Sequence, residues 1–102
     1  MEKIILYYKF VPIEDTVTVM QWQRLLCETH GLRGRIIVSK HGINGTLGGP
    51  VEGLKAYKKA MNLHPKFKKI MYKWSEGGAS DFPRLSVKVR DEIEKASCRE
   101  RV

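Results

Sequence analysis

Five short runs along the chain have the apolar, β-branched and aromatic composition of β-strands. Residues 3–11 form the first run, which ends at Pro12, a residue that interrupts strand pairing. Residues 35–40 contain the uninterrupted apolar run Ile-Ile-Val at 36–38, which is typical of a central strand. The other strands are predicted at 46–48, where a strand starts after a turn, at 69–74 and at 85–90, where apolar and polar residues alternate.

Two longer segments place apolar residues three and four positions apart, which predicts helices. The first covers 16–30, after side chains at 14–16 that can cap its start and before Gly31, which can end it. The second covers 51–62, where Pro50 suits the first turn and lysines form a ridge beside the apolar face. The order β-α-β-β-α-β plus one more strand predicts an α+β fold of the ferredoxin-like type. In this split βαβ arrangement two helices cover one face of an antiparallel sheet, here with an extra C-terminal strand.

The glycine-rich stretch after the second strand predicts a tight hairpin. Residues 41–45 read His-Gly-Ile-Asn-Gly, and Asn-Gly readily adopts the positive φ values that such turns need. The Gly42–Gly45 spacing also matches the GXXG loop of KH domains, but that loop joins helices, whereas strands flank this one. The Gly-Lys-Ser/Thr ending of a Walker loop is absent. We therefore interpret the stretch as a hairpin turn whose amides can contact a phosphate.

Positive charge is concentrated in one part of the chain. The formal net charge is +8, and residues 55–73 contribute seven lysines and no acidic residue. Such a block attracts polyanions, so we expect contacts with a phosphate backbone; a solvated face that keeps the protein soluble is the alternative. Trp74, beside Lys73, can stack on an RNA base or can serve as a core or edge-covering residue.

No residue pattern predicts a reactive centre. Cys27 lies beside leucines in the first predicted helix and is expected to be a small buried hydrophobe, while Cys98 lies in a charged tail. His30, His41 and His64 are far apart and lack carboxylates at ligand spacing, so neither a metal nor a cofactor is expected. No apolar run is long enough for a membrane span or a signal peptide, and a cytoplasmic domain without a membrane partner is expected.

Four motifs, taken in order, are specific enough to indicate a family. They are Tyr-Tyr-Lys-Phe-Val-Pro at 7–12, Gly-Leu-Arg-Gly-Arg-Ile-Ile-Val at 31–38, Gly-Ile-Asn-Gly-Thr at 42–46, and Asp-Phe-Pro-Arg-Leu-Ser-Val-Lys-Val-Arg at 81–90. Together they resemble the N-terminal domain of the rhodanese-related tRNA uridine hydroxylases. The resemblance implies an acylphosphatase-like domain over residues 1–93. Residues 94–102 do not resemble that family's linker, and we interpret them as a linker stub or an appended tail.

The resemblance also implies a function for the whole enzyme. A rhodanese-like domain that holds the active-site cysteine follows this domain in the family, and full-length members hydroxylate the wobble uridine of tRNA to 5-hydroxyuridine. We therefore expect a tRNA-binding module that is not catalytic by itself and that presents the anticodon arm to the downstream domain. The expected RNA-binding residues are Lys55, Lys58, Lys59, Lys66, Lys68, Lys69, Lys73, Arg33, Arg35, Lys40, Arg84 and Trp74.

Two other functions stay open at this point. One is a small hydrolase of acyl phosphates, because the resemblance implies the acylphosphatase fold. Acylphosphatases bind phosphate with a glycine-rich loop after the first strand, where this chain has Glu14 and Asp15, whose charge would repel such a substrate. The other is a purely structural domain that packs on the rhodanese domain, which predicts an exposed apolar sheet face.

Overall fold

Two α-helices and five strands follow one another in the predicted order in the computed structural model, which describes residues 1–90. The predicted tail at 94–102 lies outside the described residues. The elements are β1 (Glu2–Phe10), α1 (Thr16–Thr29), β2 (Arg33–Ser39), β3 (Gly42–Pro50), α2 (Val51–Leu63), β4 (Lys73–Glu76) and β5 (Leu85–Val89). A single 3₁₀ turn at Ala79–Asp81 lies between β4 and β5.

The strands form one sheet in the order β4-β1-β3-β2-β5. The first four are paired antiparallel, as the split βαβ order requires, and the extra strand β5 pairs with β2 in parallel. The predicted fold class is therefore confirmed. Because β4 and β5 lie on opposite edges, residues 77–84 must cross from one side of the sheet to the other.

Both helices pack on the same face of the sheet and form the core with it. The alternation of β1 sends Ile5 and Tyr7 into this core, while Leu6 and Tyr8 point to the opposite face. The other buried apolar side chains are Ile13, Cys27, Leu32, Ile36, Val38, Ile43, Leu47, Leu54, Tyr57, Met61, Phe67, Ile70 and Val87.

A buried hydrogen-bonded chain joins the sheet to both helices. The hydroxyl of Tyr7 on β1 bonds the hydroxyl of Tyr57 on α2, which in turn donates to Oε1 of Gln23 on α1. Burial raises the pKa of both tyrosines well above the usual range, so both stay neutral. This satisfied network fixes how the helices sit on the sheet.

The hairpin between β2 and β3 was predicted correctly, but the placement of Asn-Gly in its turn was wrong. Ser39 pairs with Gly42, so Lys40 and His41 form the two-residue turn, and Asn44 and Gly45 lie within β3. A Cβ at Gly45 would lie 2.8 Å from the Tyr7 ring. Gly45 is therefore needed for close packing under an aromatic ring, not for a turn.

The strand predicted at 69–74 is shorter and starts later than expected. Lys69 has a left-handed φ of 66°, and its amide donates to Oδ1 of Asn62 at the end of α2. That conformation cannot begin a strand, and pairing with β1 starts only at Lys73, which lies opposite Leu6. The other predicted elements differ from the observed ones only at their boundaries.

Candidate nucleic-acid interface

Among residues 1–90, little covers the sheet face away from the helices, which we call the open face, and the strand register shows which residues share it. Leu6 pairs with Thr46, which pairs with Arg35, which pairs with Ser86. The next row runs from Tyr8 through Asn44 and Ile37 to Lys88. Because paired residues lie on the same side of a sheet, the open face carries apolar and aromatic side chains on β1, amide and hydroxyl groups on β3, and cations on β2 and β5.

An apolar groove of about 830 Å³ runs along the β1 side of this face. Tyr8 and Phe10 line it and are 65% and 62% exposed, with ring centroids 5.5 Å apart. Leu6 and Met71 extend the apolar surface, and Lys69 and Lys73 also line the groove. Exposed aromatic rings beside lysines are an arrangement that can hold a planar, anionic ligand.

A second groove, of about 860 Å³, occupies the other half of the face. Four cationic side chains line it: Arg35, Arg84, Lys88 and Arg90. Asn44 and Thr46 line both grooves, so the two form one continuous surface across β3. Within residues 1–90, no Asp or Glu contributes to the lining of either groove. The field of the described residues over this face therefore favours anions.

One end of the open face is covered by the segment that crosses between the edge strands. Gly78 and Phe82 from this segment pack on Gly48 of β3, where a Cβ would lie 2.5 Å from the Gly78 carbonyl oxygen and 2.9 Å from the Phe82 ring. Phe82 and Pro83 then form a wall of the cationic groove. The crossing segment thus places Arg84 beside the sheet cations.

The structure divides the twelve predicted RNA-binding residues among several separate parts of the fold. Register and groove lining assign Arg33, Arg35, Lys69, Lys73 and Arg84 to the open face. Lys55, Lys58 and Lys59 lie on α2, in the helix layer on the other side of the sheet. Lys40 lies in the β2–β3 turn, while Lys66 and Lys68 lie in the connection after α2.

The lysine block of the sequence is therefore not one surface. The ammonium of Lys66 is engaged within the protein, because its Nζ donates a hydrogen bond to the Pro12 carbonyl oxygen at 2.8 Å. The helix lysines face away from the residues that line the open-face grooves. Lys58 and Lys73, which belong to the same block of the sequence, thus lie on opposite faces of the sheet.

Trp74 lies on the helix side of the edge strand, since it pairs with the buried Ile5. The ammonium of Lys58 stands 5.2 Å from its ring centroid and 5.1 Å from that of Tyr72. This is the edge-covering position that the sequence left open for Trp74, with the ring engaged by a cation of the same chain. The aromatic rings on the open face are Tyr8 and Phe10 instead.

The sequence analysis did not predict Tyr8, Phe10, Lys88 or Arg90 as RNA-binding residues. The apolar residues of β1 occupy both of its faces, which hides the alternation that separates core residues from surface residues. The sequence did contain a signal for these exposed side chains. It predicts a fold with helices on one face only and a first strand that is apolar on both sides. Such a strand must expose aromatic side chains on the uncovered face.

The candidate nucleophile Cys27 is fully buried in the helix layer, as expected. Burial, with a smaller contribution from Glu28, raises the pKa of its thiol to about 12, which keeps it protonated and unreactive. Within residues 1–90, no three His, Cys, Asp or Glu side chains are grouped closely enough to hold a metal ion. In the same part of the chain, no helix is long and apolar enough to cross a bilayer.

The loop after β1 is acidic at the point where a phosphate-binding loop would be needed. Asp15 caps α1: its Oδ1 accepts from the Thr18 amide at 3.0 Å and its Oδ2 from the Thr18 hydroxyl at 2.7 Å. These hydrogen bonds, first the one from the backbone amide, lower the pKa of Asp15 and keep it charged. A carboxylate therefore occupies the anion-attracting start of the helix, where it repels a phosphate.

Solved structures share this fold at low sequence identity. "BlrB - a BLUF protein, dark state structure" aligns with a TM-score of 0.71 and 18% identity, covering 86% of this chain and 71% of that one. "Crystal structure of full-length HypF in the phosphate- and nucleotide-bound form" aligns with a TM-score of 0.62 and 13% identity, covering 86% of this chain and 12% of that one. At these identities the comparison shows the fold alone.

Sequence relatives are much closer. A tRNA uridine(34) hydroxylase of Corynebacterium aurimucosum is 63% identical over 91 residues, and one of Pseudarthrobacter chlorophenolicus is 56% identical over 93 residues. These matches cover 89% and 91% of this chain but 29% and 31% of the relatives, so the chain spans about a third of their length. The profile of the UPF0176 acylphosphatase-like domain matches residues 2–93. The chain belongs to the UPF0176 acylphosphatase-like domain family.

Proposed function

We propose that this chain is the tRNA-binding module of an enzyme that hydroxylates the wobble uridine of tRNA, and that it has no catalytic centre of its own. The observation that supports this most directly is the open sheet face, where cations line two adjoining grooves without an acidic residue from the described chain. Relatives with 56–63% identity are named tRNA uridine(34) hydroxylases, and we therefore propose tRNA as the polyanion that this face binds.

The role follows from what the domain supplies and what it lacks. Its described cysteine is buried and protonated, and its acidic loop after β1 is unsuited to an acyl phosphate. The chain spans about a third of its relatives, so the proposed chemistry belongs to a following rhodanese-like domain that the resemblance implies. The module would then bind the anticodon arm in the cytoplasm and place the uridine at that domain.

Among the predicted RNA-binding residues, we assign the phosphate contacts to the set on the open face. Arg35, Lys73 and Arg84 line the grooves there, and Lys88 and Arg90 join them. The α2 lysines face the other way, and the ammonium of Lys58 is engaged by Tyr72 and Trp74. A surface that contacts successive phosphates of one polyanion must be contiguous, and the two adjoining grooves of the open face form such a surface.

Salt-dependent binding of tRNA tests this assignment. Each lost phosphate contact lowers the slope of log affinity against log salt by about 0.7–0.9. The triple change Arg35→Ala, Lys73→Ala and Lys88→Ala should therefore weaken tRNA binding and reduce the slope by roughly 2–3. The matched control changes three cations of α2, Lys55→Ala, Lys58→Ala and Lys59→Ala, and should leave the slope nearly unchanged.

Two results would contradict the proposal. If the wild-type chain shows no salt-dependent affinity for tRNA, the binding role fails. If the α2 variant loses the slope and the sheet variant keeps it, the binding face is the helix layer.

A further inference from the structure

We propose that Tyr8 and Phe10 form a stacking platform for unpaired RNA bases, so that the open face selects a single-stranded loop over a duplex. This inference rests on the proposed function, because it names the part of the RNA that the face contacts. Both rings are mostly exposed in a groove that Lys69 and Lys73 also line.

The geometry of the two rings suits bases rather than phosphates alone. Tyr8 and Phe10 are two residues apart on β1, so both point to the open face, and their planes are tilted by 50°. Rings at this angle cannot lie flat against one another, so each keeps its own π-face for a ligand. Every base has a π-face, which makes such contacts tolerant of sequence.

Polar groups for the edges of a base lie directly beside the platform. Asn44 is the register partner of Tyr8, and Thr46 is the partner of Leu6. An amide side chain offers both donors and an acceptor, and a hydroxyl does the same on a smaller scale. In a duplex the base faces are stacked and the Watson–Crick edges are paired, so only a single strand can use stacking and edge contacts together.

Cations flank the platform on both sides. Lys69 and Lys73 share the apolar groove with the rings, while Arg35 and Lys88 stand across β3 on β2 and β5. From β1 to β5 the sheet spans three strand spacings, roughly 14 Å. A short single strand laid across the sheet could therefore stack at β1 while its phosphates meet cations at β5.

The charge of the face favours RNA over a protein surface as the occupant. An apolar partner would cover Leu6, Tyr8 and Phe10 but would also take the neighbouring cations out of water without supplying counter-charges. Such desolvation is costly unless each cation is paired. The regularly spaced phosphates of a nucleic acid meet this requirement together with the stacking contacts.

Fluorescence anisotropy with two labelled RNAs tests the platform on the 102-residue chain. One RNA is a stem-loop with an unpaired loop, and the other is a blunt duplex with the same number of phosphates. Tyr8→Ala and Phe10→Ala should each lower the affinity for the stem-loop roughly tenfold. Affinity for the duplex and the salt slope should not change, and Tyr8→Phe, which retains the ring, should bind the stem-loop like wild type.

A stem-loop with abasic loop nucleotides checks the same contact without changing the protein. It should bind the wild-type chain as weakly as the intact stem-loop binds the double variant Tyr8→Ala/Phe10→Ala, and it should not distinguish these two proteins. If neither the alanine variants nor the abasic loop loses affinity while salt-dependent binding persists, the platform is overturned and the proposed function stands. The rings would then be left to a protein partner such as the downstream domain. If the wild-type chain binds neither RNA, the proposed function fails together with the platform.

Discussion

The two faces of the sheet are built from the same strands but differ in burial and in chemical character. On β1, Ile5 and Tyr7 are 0% and 5% exposed beneath the helices, whereas their neighbours Leu6 and Tyr8 are 40% and 65% exposed on the open face. The covered side carries the apolar core and one satisfied polar network. The open side carries aromatic rings and cations that the fold itself does not use. Stability and the proposed binding are therefore separable by single substitutions along one strand.

Thiol reactivity should give the largest difference between the two faces. With its pKa raised from the ordinary 9.0 to about 12, Cys27 should hold about a thousandfold less thiolate at neutral pH than in the unfolded chain. In a Cys98→Ser background, alkylation of Cys27 should be slow in buffer and fast in urea. In the same Cys98→Ser background, a chain with Cys27→Ser and Leu6→Cys should be alkylated fast both in buffer and in urea. Equal rates for the two folded proteins would contradict the assignment of the faces.

The same thiol fixes the sign of one pH effect. Its folded-state pKa lies above that of the unfolded chain, so its contribution to stability is complete below pH 9.0 and is lost as the pH rises toward about 12. Cys27→Ala should remove this part of the alkaline loss of stability, as measured by the denaturant midpoint at several pH values. A midpoint that depends on pH as in wild type would contradict the burial of this group.

Paired truncations on β1 should give the next largest difference. Ile5→Ala removes a fully buried side chain and should lower the free energy of unfolding by about 2–5 kcal/mol. Leu6→Ala, one position along, should cost less than about 1 kcal/mol. Urea denaturation of both variants measures the two values, and similar losses would show that the open face is also part of the stabilising core.

The smallest effect concerns the aromatic contact on the helix side. Lys58→Met removes the ammonium that stands over Trp74 and Tyr72, and stability should fall by about 0.5–1 kcal/mol. Trp74 fluorescence should change, because its exposed ring loses a charged neighbour. RNA affinity should stay as in wild type. A loss of RNA affinity comparable to that of the sheet variants would show that Trp74 and Lys58 belong to the binding surface.

The fold could be predicted because its signals are local and repeated. Helical spacing and strand alternation gave the order of elements, and the motifs at 42–46 and 81–90 indicated the family. The turn was misplaced because the register is set by packing: Gly45 lies under Tyr7, two strands away in sequence but adjacent in the sheet. The start of β4 was misplaced because the left-handed φ of Lys69 interrupts an apolar pattern that continues through it.

The candidate site could be predicted only in part, because proximity in sequence is not proximity in space. The block of lysines indicated a polyanion, but a helix and an edge strand divide it between two sides of the sheet. Arg35, Lys88 and Tyr8 lie on three different strands, and only the strand order β1-β3-β2-β5 with its pairing register brings them to one face. That register depends on long-range pairing, which no local pattern contains.

Methyl NMR of the labelled chain during titration with tRNA tests most directly whether the open face is the binding surface. The methyl groups of Leu6 and Ile37 lie on that face, and those of Val17 and Leu25 are exposed on α1. We predict that the Leu6 and Ile37 signals shift or broaden in a saturable manner while those of Val17 and Leu25 stay fixed. Saturable shifts confined to the helix methyls would contradict the account.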